Sequence, residues 1–383
     1  MIIKNTPPLV LDSLSWSGEV VKRSSNLELY RIVCMLMIIA HHYLVISGLT
    51  SLNGPILTNP DSANSLFLLF FGAWGKVGIN CFLMITGYFM CSSKITLRKF
   101  VKLISQIYFY NIILFLVFAI TGYETFTIKR IALLLFPFYG FGVNNFVSCY
   151  MAFYLTIPFL NILIHNLNQR QHEWLIILSL LLFTICGTLP KFEVPLNYIT
   201  WFGIIYFIAS YIKLYPRPVF MKRRLWGVLS LSILLASIIS IVAITYLFGS
   251  IHSWYLLHDS NKILAVAFAV CSFLWFKNMN IKYSRIINSF GAGTFGVLLI
   301  HTNSNAMVIW LWKDAVDVVG HFSLPFCQLV LFSVGVVLAV FVVCNLIDQL
   351  RIATLEKWIF NWYDAKYAYR ADALVKQIII GKQ

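Results

Sequence analysis

The sequence predicts an all-α, polytopic integral membrane protein of about ten transmembrane helices, with interfacial helices beside them. Three observations carry this. Of 383 residues, 60% are hydrophobic and 11% charged, with a mean hydropathy of +0.82, where a soluble domain carries about a quarter charged residues. The apolar residues gather into runs able to cross about 30 Å of hydrocarbon. The basic residues concentrate in alternate connections between those runs.

In chain order, residues 1–23 mix Pro7, Pro8, Asp12 and Glu19 without the apolar core of a signal peptide, and are expected to form a cytoplasmic segment. Ten apolar runs follow, near 27–48, 68–91, 100–120, 146–166, 173–189, 197–214, 225–248, 262–277, 289–312 and 324–347. The second is interrupted by FGAWGKVGIN, with its glycines and Lys76. A broken helix is expected there, tolerated where the backbone is buried in protein or lines a cavity. Between the third and fourth runs, IKRIALLLFPFY at 128–139 is too short to span and ends at a proline, which suits a helix lying along the interface. After the tenth run, residues 349–383 mix Trp358, Phe360, Trp362, Tyr363, Tyr367 and Tyr369 with alternating charges. That composition suits a cytoplasmic interfacial tail with aromatics at headgroup level. Residues 24–348 would then be a single transmembrane domain without internal repeats.

Charge fixes the expected orientation. With the N-terminus in the cytoplasm, 22 of the 29 Lys and Arg fall inside, five outside and two, Arg31 and Lys76, within spans. Both termini are therefore expected in the cytoplasm, and the protein in the cell membrane. The net charge of +15 follows from this topology and argues against a nucleic-acid partner. The eight cysteines stand singly in or beside apolar runs, as packing residues do. No HxxxH or HxxE spacing occurs among the histidines outside the first span, so no metal site is expected.

The chemistry concentrates on the first span, SSNLELYRIVCMLMIIAHHYLVISG. Ionisable residues within a span are costly and mark a functional site by default. Arg31 and His42 are eleven positions apart, so at about 100° per residue they lie about 20° out of phase, on one face. The rise puts them roughly 16 Å apart along the axis. His41 points about 80° away. Glu28, three residues before Arg31, is within reach of the guanidinium and can hold it in position. An arginine fork suits phosphate oxygens, and a neutral imidazole can accept a proton. A phosphate anchor with a base about 16 Å inward fits a long, thin cofactor such as a coenzyme A thioester. The plainer alternative is a snorkelling arginine and a histidine bonded to a neighbouring helix.

The pattern resembles the acyltransferase 3 family of bacterial membrane proteins, in which an arginine and a histidine are separated by ten residues. NLELYRI resembles that family's acidic-residue-and-arginine opening, with Glu28 in the acidic place. GKVGINCFLMITGYFM at 75–90 is similar to its second-helix pattern, with Thr86 where serine is commoner. NNFVSCYMAFYLTIPFLN at 144–161 resembles its aromatic–tyrosine–proline helix. SFGAGTFGVLLIHTN at 289–303 resembles a late helix ending in histidine, with Leu298 replacing a frequent tyrosine. The resemblance implies transfer of an acyl group, usually acetyl, from cytoplasmic acetyl-CoA or another acyl-CoA to a carbohydrate hydroxyl. The chain would be a stand-alone member, lacking the extracytoplasmic hydrolase-like domain fused to many others.

Under that reading Arg31, Lys94 and Arg98 contact coenzyme A phosphates and His42 is the general base. Lys94 and Arg98 fit an ordinary positive-inside loop equally well. Lys76 either needs a partner or cavity within the membrane or lies near the outer surface. His301, by the helix rise, lies near the level of His42, as a structural or a functional group. The acceptor is expected to be a cell-envelope polysaccharide or its lipid-linked precursor. A carrier or flippase for a lipid-linked saccharide, with the same charges lining a pathway, is the alternative.

Overall fold

The computed structural model describes residues 24–93, 96–136, 145–192 and 194–366. The described residues contain helices and connecting turns but no strand. Each of the ten apolar runs falls on a helix. Helix α1 is Ser25–Val45; α2, Ala63–Gly72, and α3, Gly75–Met90, share the second run; α4 is Leu97–Ile120. The short α5, Ile128–Leu135, occupies the segment expected at the interface, and α6 is Phe146–Asn166. Then come α7, Gln169–Thr188, α8, Tyr198–Leu214, α9, Arg223–Phe248, and α10, Ile263–Lys277. The ninth run lies on α11, Arg285–His301, and α12, Asn305–Ser323; the last is α13, Phe326–Asn361.

Among the described residues six of these helices, and α2 with α3 as a seventh, are long and apolar enough to cross a membrane, and the pair α11–α12 makes an eighth if taken as one span. Helices α8 and α10 are apolar but shorter. The protein is an all-α, multi-pass membrane protein.

One expectation needs correction. The ninth run is not a straight helix: α11 and α12 meet at 96°. The polar Thr302, Asn303 and Ser304 cause the break. Thr302 Oγ1 donates to the Leu298 carbonyl (2.8 Å) and Asn303 Nδ2 to that of Leu299 (3.3 Å), closing one helix. Ser304 Oγ accepts from Met307 N (3.3 Å) and opens the next, as an N-cap does. The last helix, α13, runs past 348 through a π-helical turn, Ile352–Glu356. The rest of the expected tail, 367–383, and the segment 1–23 lie outside the described residues.

Helix α1 sits among α2, α3, α10, α11 and α13. Half of its most apolar stretch is buried in protein, against 17% for α7 and 22% for α9. Apolar burial gives helices little reason to associate in lipid, so packing and interhelical hydrogen bonds hold them. Asn26 Nδ2 donates to the carbonyls of Phe276 (3.0 Å) and Lys277 (2.7 Å). Ser25 Oγ donates to Asn288 Oδ1 (3.0 Å), and the Tyr30 hydroxyl meets Ser272 Oγ (2.6 Å). Asn80 joins α3 to α8 and to the loop before α10, donating to the Ser260 carbonyl (2.6 Å) and accepting from Trp201 Nε1 (2.9 Å). Each such bond contributes about 0.6 kcal/mol on average.

Candidate active site

Because α1 is unbroken from Ser25 to Val45, the spacing of its residues converts directly into faces and depths. Arg31 Nη1 lies 3.4 Å from Glu28 Oε1, with the arginine side chain 25% exposed and the glutamate 6%. The carboxylate is inside and the guanidinium partly open. Gly291 of α11 allows this closeness, since a Cβ there would stand 2.4 Å from Glu28 Oε2 and 2.8 Å from Glu28 Cβ. Tyr150 of α6 adjoins Thr86 and lies in the electrostatic neighbourhood of Arg31, and its ring centroid is 6.0 Å from that of Phe295 on α11.

Further along α1 the two histidines diverge. His42 Nδ1 is 2.9 Å from Nε2 of His301, which is itself wholly buried at the end of α11. The level match inferred from helix rise is realised as a direct contact. His41 turns to the corner between α2 and α3, where its Nδ1–H donates to the Gly72 carbonyl (2.7 Å). Gly75 makes room for that ring, because a Cβ would fall 2.2 Å from His41 Cγ.

Lys76 stands in the first turn of α3. Its ammonium donates to the Tyr198 hydroxyl (2.6 Å) and lies 5.2 Å from the centre of that ring. In the loop before α10, His258 Nε2 is 2.9 Å from Asp259 Oδ2. That bond holds the Asp259 carboxyl below its ordinary range, against burial and with help from Lys76 and Lys262. Arg98, in the first turn of α4, lies over the Phe360 ring at 5.0 Å. Lys94 lies outside the described residues. Among the described residues no three His, Cys, Asp or Glu gather as metal ligands would.

One buried polar cluster escaped the sequence reasoning. Asp348, fully buried, accepts at Oδ1 from the Tyr110 hydroxyl (2.7 Å), Gln106 Nε2 (3.2 Å) and Arg351 Nε (2.7 Å). Arg351 Nη1 reaches Glu356 (2.9 Å), and Glu356 also pairs with Lys102. The available signal was spacing: Gln106 and Tyr110 share a face of α4, and Asp348 and Arg351 share one of α13.

Fold and site define a multi-pass membrane protein with a built polar site along α1, a helix packed among five others. The family model described as Acyltransferase domain, acyltransferase 3, matches residues 24–345, and the chain belongs to that family. It is a membrane acyltransferase. No curated protein and no solved structure matches the chain.

Proposed function

We propose that the chain transfers an acyl group, most simply acetyl, from coenzyme A to a hydroxyl of a cell-envelope polysaccharide or its lipid-linked precursor. One observation carries the reading: a partly open, carboxylate-braced arginine and a histidine with a free ring nitrogen share one face of a continuous buried helix, about 16 Å apart. That separation suits a donor with phosphates at one end and a thioester at the other.

In this mechanism Arg31 binds a phosphate of the donor at the cytoplasmic mouth, and Glu28 keeps the fork oriented. Lys94 and Arg98, from the basic connection before α4, are assigned to the same phosphate end. His42 takes the proton of the acceptor hydroxyl as its oxygen attacks the thioester carbonyl. The tetrahedral intermediate expels coenzyme A thiolate, the C–S bond breaks, and the proton on His42 passes to sulfur. Lys76, bonded to the Tyr198 hydroxyl, and His41, bonded to the Gly72 carbonyl, are candidate lining residues farther from the reacting atoms. Both chain termini lie in the cytoplasm of a cell-membrane protein, as the charge bias supports.

The test is purified protein in detergent with acetyl-labelled coenzyme A and a cell-envelope glycan preparation. Label should move to glycan, and not with His42→Ala. Absence of acyl-CoA binding by the wild type would overturn the reading.

A further inference from the structure

We propose that His301 is a positioning residue that fixes which nitrogen of His42 is the base; this rests on the reading of His42 above. The argument starts from the end of α11. At that end three successive side chains reach back to the carbonyls four residues earlier. His301 Nδ1 lies 2.6 Å from the Val297 carbonyl, Thr302 Oγ1 2.8 Å from that of Leu298, and Asn303 Nδ2 3.3 Å from that of Leu299. A carbonyl oxygen carries no proton, so His301 Nδ1 must donate. In a neutral imidazole the other nitrogen is then an acceptor.

That acceptor, His301 Nε2, faces His42 Nδ1 at 2.9 Å. The bond needs one proton, and with both rings neutral it sits on His42 Nδ1. His42 Nε2 is therefore left bare, and among the described residues it has no hydrogen-bond partner. It is the atom free to take a proton from a hydroxyl. A cationic His301 would give the opposite arrangement. It would also place a charge on a side chain that is 0% exposed within a membrane helix, with no carboxylate bonded to it.

The chain of bonds thus runs from a backbone carbonyl through His301 to His42. It does for His42 what a buried carboxylate does for the histidine of a serine hydrolase, holding tautomer and ring angle. When His42 accepts the acceptor's proton at Nε2, its Nδ1–H still points at a lone pair, and the positive charge is shared across two rings. The bend at Thr302–Ser304 ends α11 at His301.

Two measurements test this. In the wild type, nitrogen NMR of isotopically labelled histidine should show His42 protonated at Nδ1 and bare at Nε2, and His301 likewise; the reverse tautomer on His42 would overturn the proposal. In the second, His301→Leu removes the acceptor and His301→Gln restores one through its side-chain carbonyl. Turnover of acetyl-CoA at saturation should fall about 10²–10³-fold in His301→Leu, within the range seen for general-base effects. His301→Gln should recover at least tenfold of that loss, with the donor KM within about twofold of wild type in both. Equal losses in both variants, or none in His301→Leu, would overturn the positioning role. If His42→Ala is inactive while His301→Leu is not, this proposal alone fails. If His42→Ala turns over normally, the base assignment beneath it fails.

Discussion

Replacing Arg31 by lysine separates charge from shape. The arginine is 25% exposed with Glu28 3.4 Å from its Nη1, so one side of the fork is braced and the other can receive a ligand. Lysine keeps the positive charge and can still approach Glu28, but it offers a point donor where the fork makes two parallel bonds to phosphate. A hydrogen bond to a charged group contributes about 1.5–3 kcal/mol. At about 1.4 kcal/mol per tenfold, losing one predicts donor binding about ten- to a hundredfold weaker, with partial exposure favouring the lower figure. The assay is acetyl-CoA binding in detergent, by calorimetry or displacement, set beside initial rates. The donor KM should rise while turnover at saturation falls less, the pattern of lost uniform binding. His42→Ala should do the reverse, binding donor and failing to transfer. If Arg31→Lys binds donor like the wild type and His42→Ala does not, the roles are exchanged. If the wild type binds no acyl-CoA, the carrier alternative moves ahead.

Three further predictions are independent of that one. His41→Ala should retain a substantial fraction of transfer under conditions where His42→Ala has none, because His41 is tied to the Gly72 carbonyl; a dead His41→Ala would mean the corner of α2 and α3 belongs to the reaction. A membrane-impermeant thiol probe should label a cysteine placed in 215–223 only from the cytoplasm and one in 50–64 only from outside, since 213–224 holds five basic residues and 50–64 none. Inverted labelling would put Arg31 at the outer face. Asp348→Leu should destabilise the protein by about 3–5 kcal/mol, because it strips a buried partner from Arg351; a detergent-denaturation midpoint equal to the wild type's would show that Glu356 alone satisfies the arginine.

What was legible in the sequence was what depends on composition and on a single helix. The apolar runs located the helices, and the phase of Arg31 and His42 holds because nothing interrupts α1 between them. The bend after His301 was hidden because apolarity does not distinguish a straight span from two arms. Only TNSN, with its capping serine and carbonyl-binding side chains, marked it. The Asp348 cluster was hidden for a different reason. Its donors come from α4 and α13, more than two hundred residues apart, and its acids lie beyond the apolar run, where they resembled an exposed tail. The pairing of His42 with His301 lay between these cases, since equal depth could be inferred but not azimuth.

The polar load of α1 shows why site and packing cannot be separated there. Ser25, Asn26 and Tyr30 spend their side-chain groups on α10 and α11, and His41 spends Nδ1 on the Gly72 carbonyl. These bonds set the rotation of α1 among its neighbours. Once that rotation is fixed, Arg31 and His42 have no choice of face. Their remaining capacity, the open edge of the guanidinium and Nε2 of the imidazole, has no hydrogen-bond partner among the described residues. An arginine left open in this way would be a cost in a purely structural helix. Under the proposed function the donor's phosphate and the acceptor's hydroxyl would each satisfy one of the two, and the groups that fold the helix would be distinct from those left for substrate.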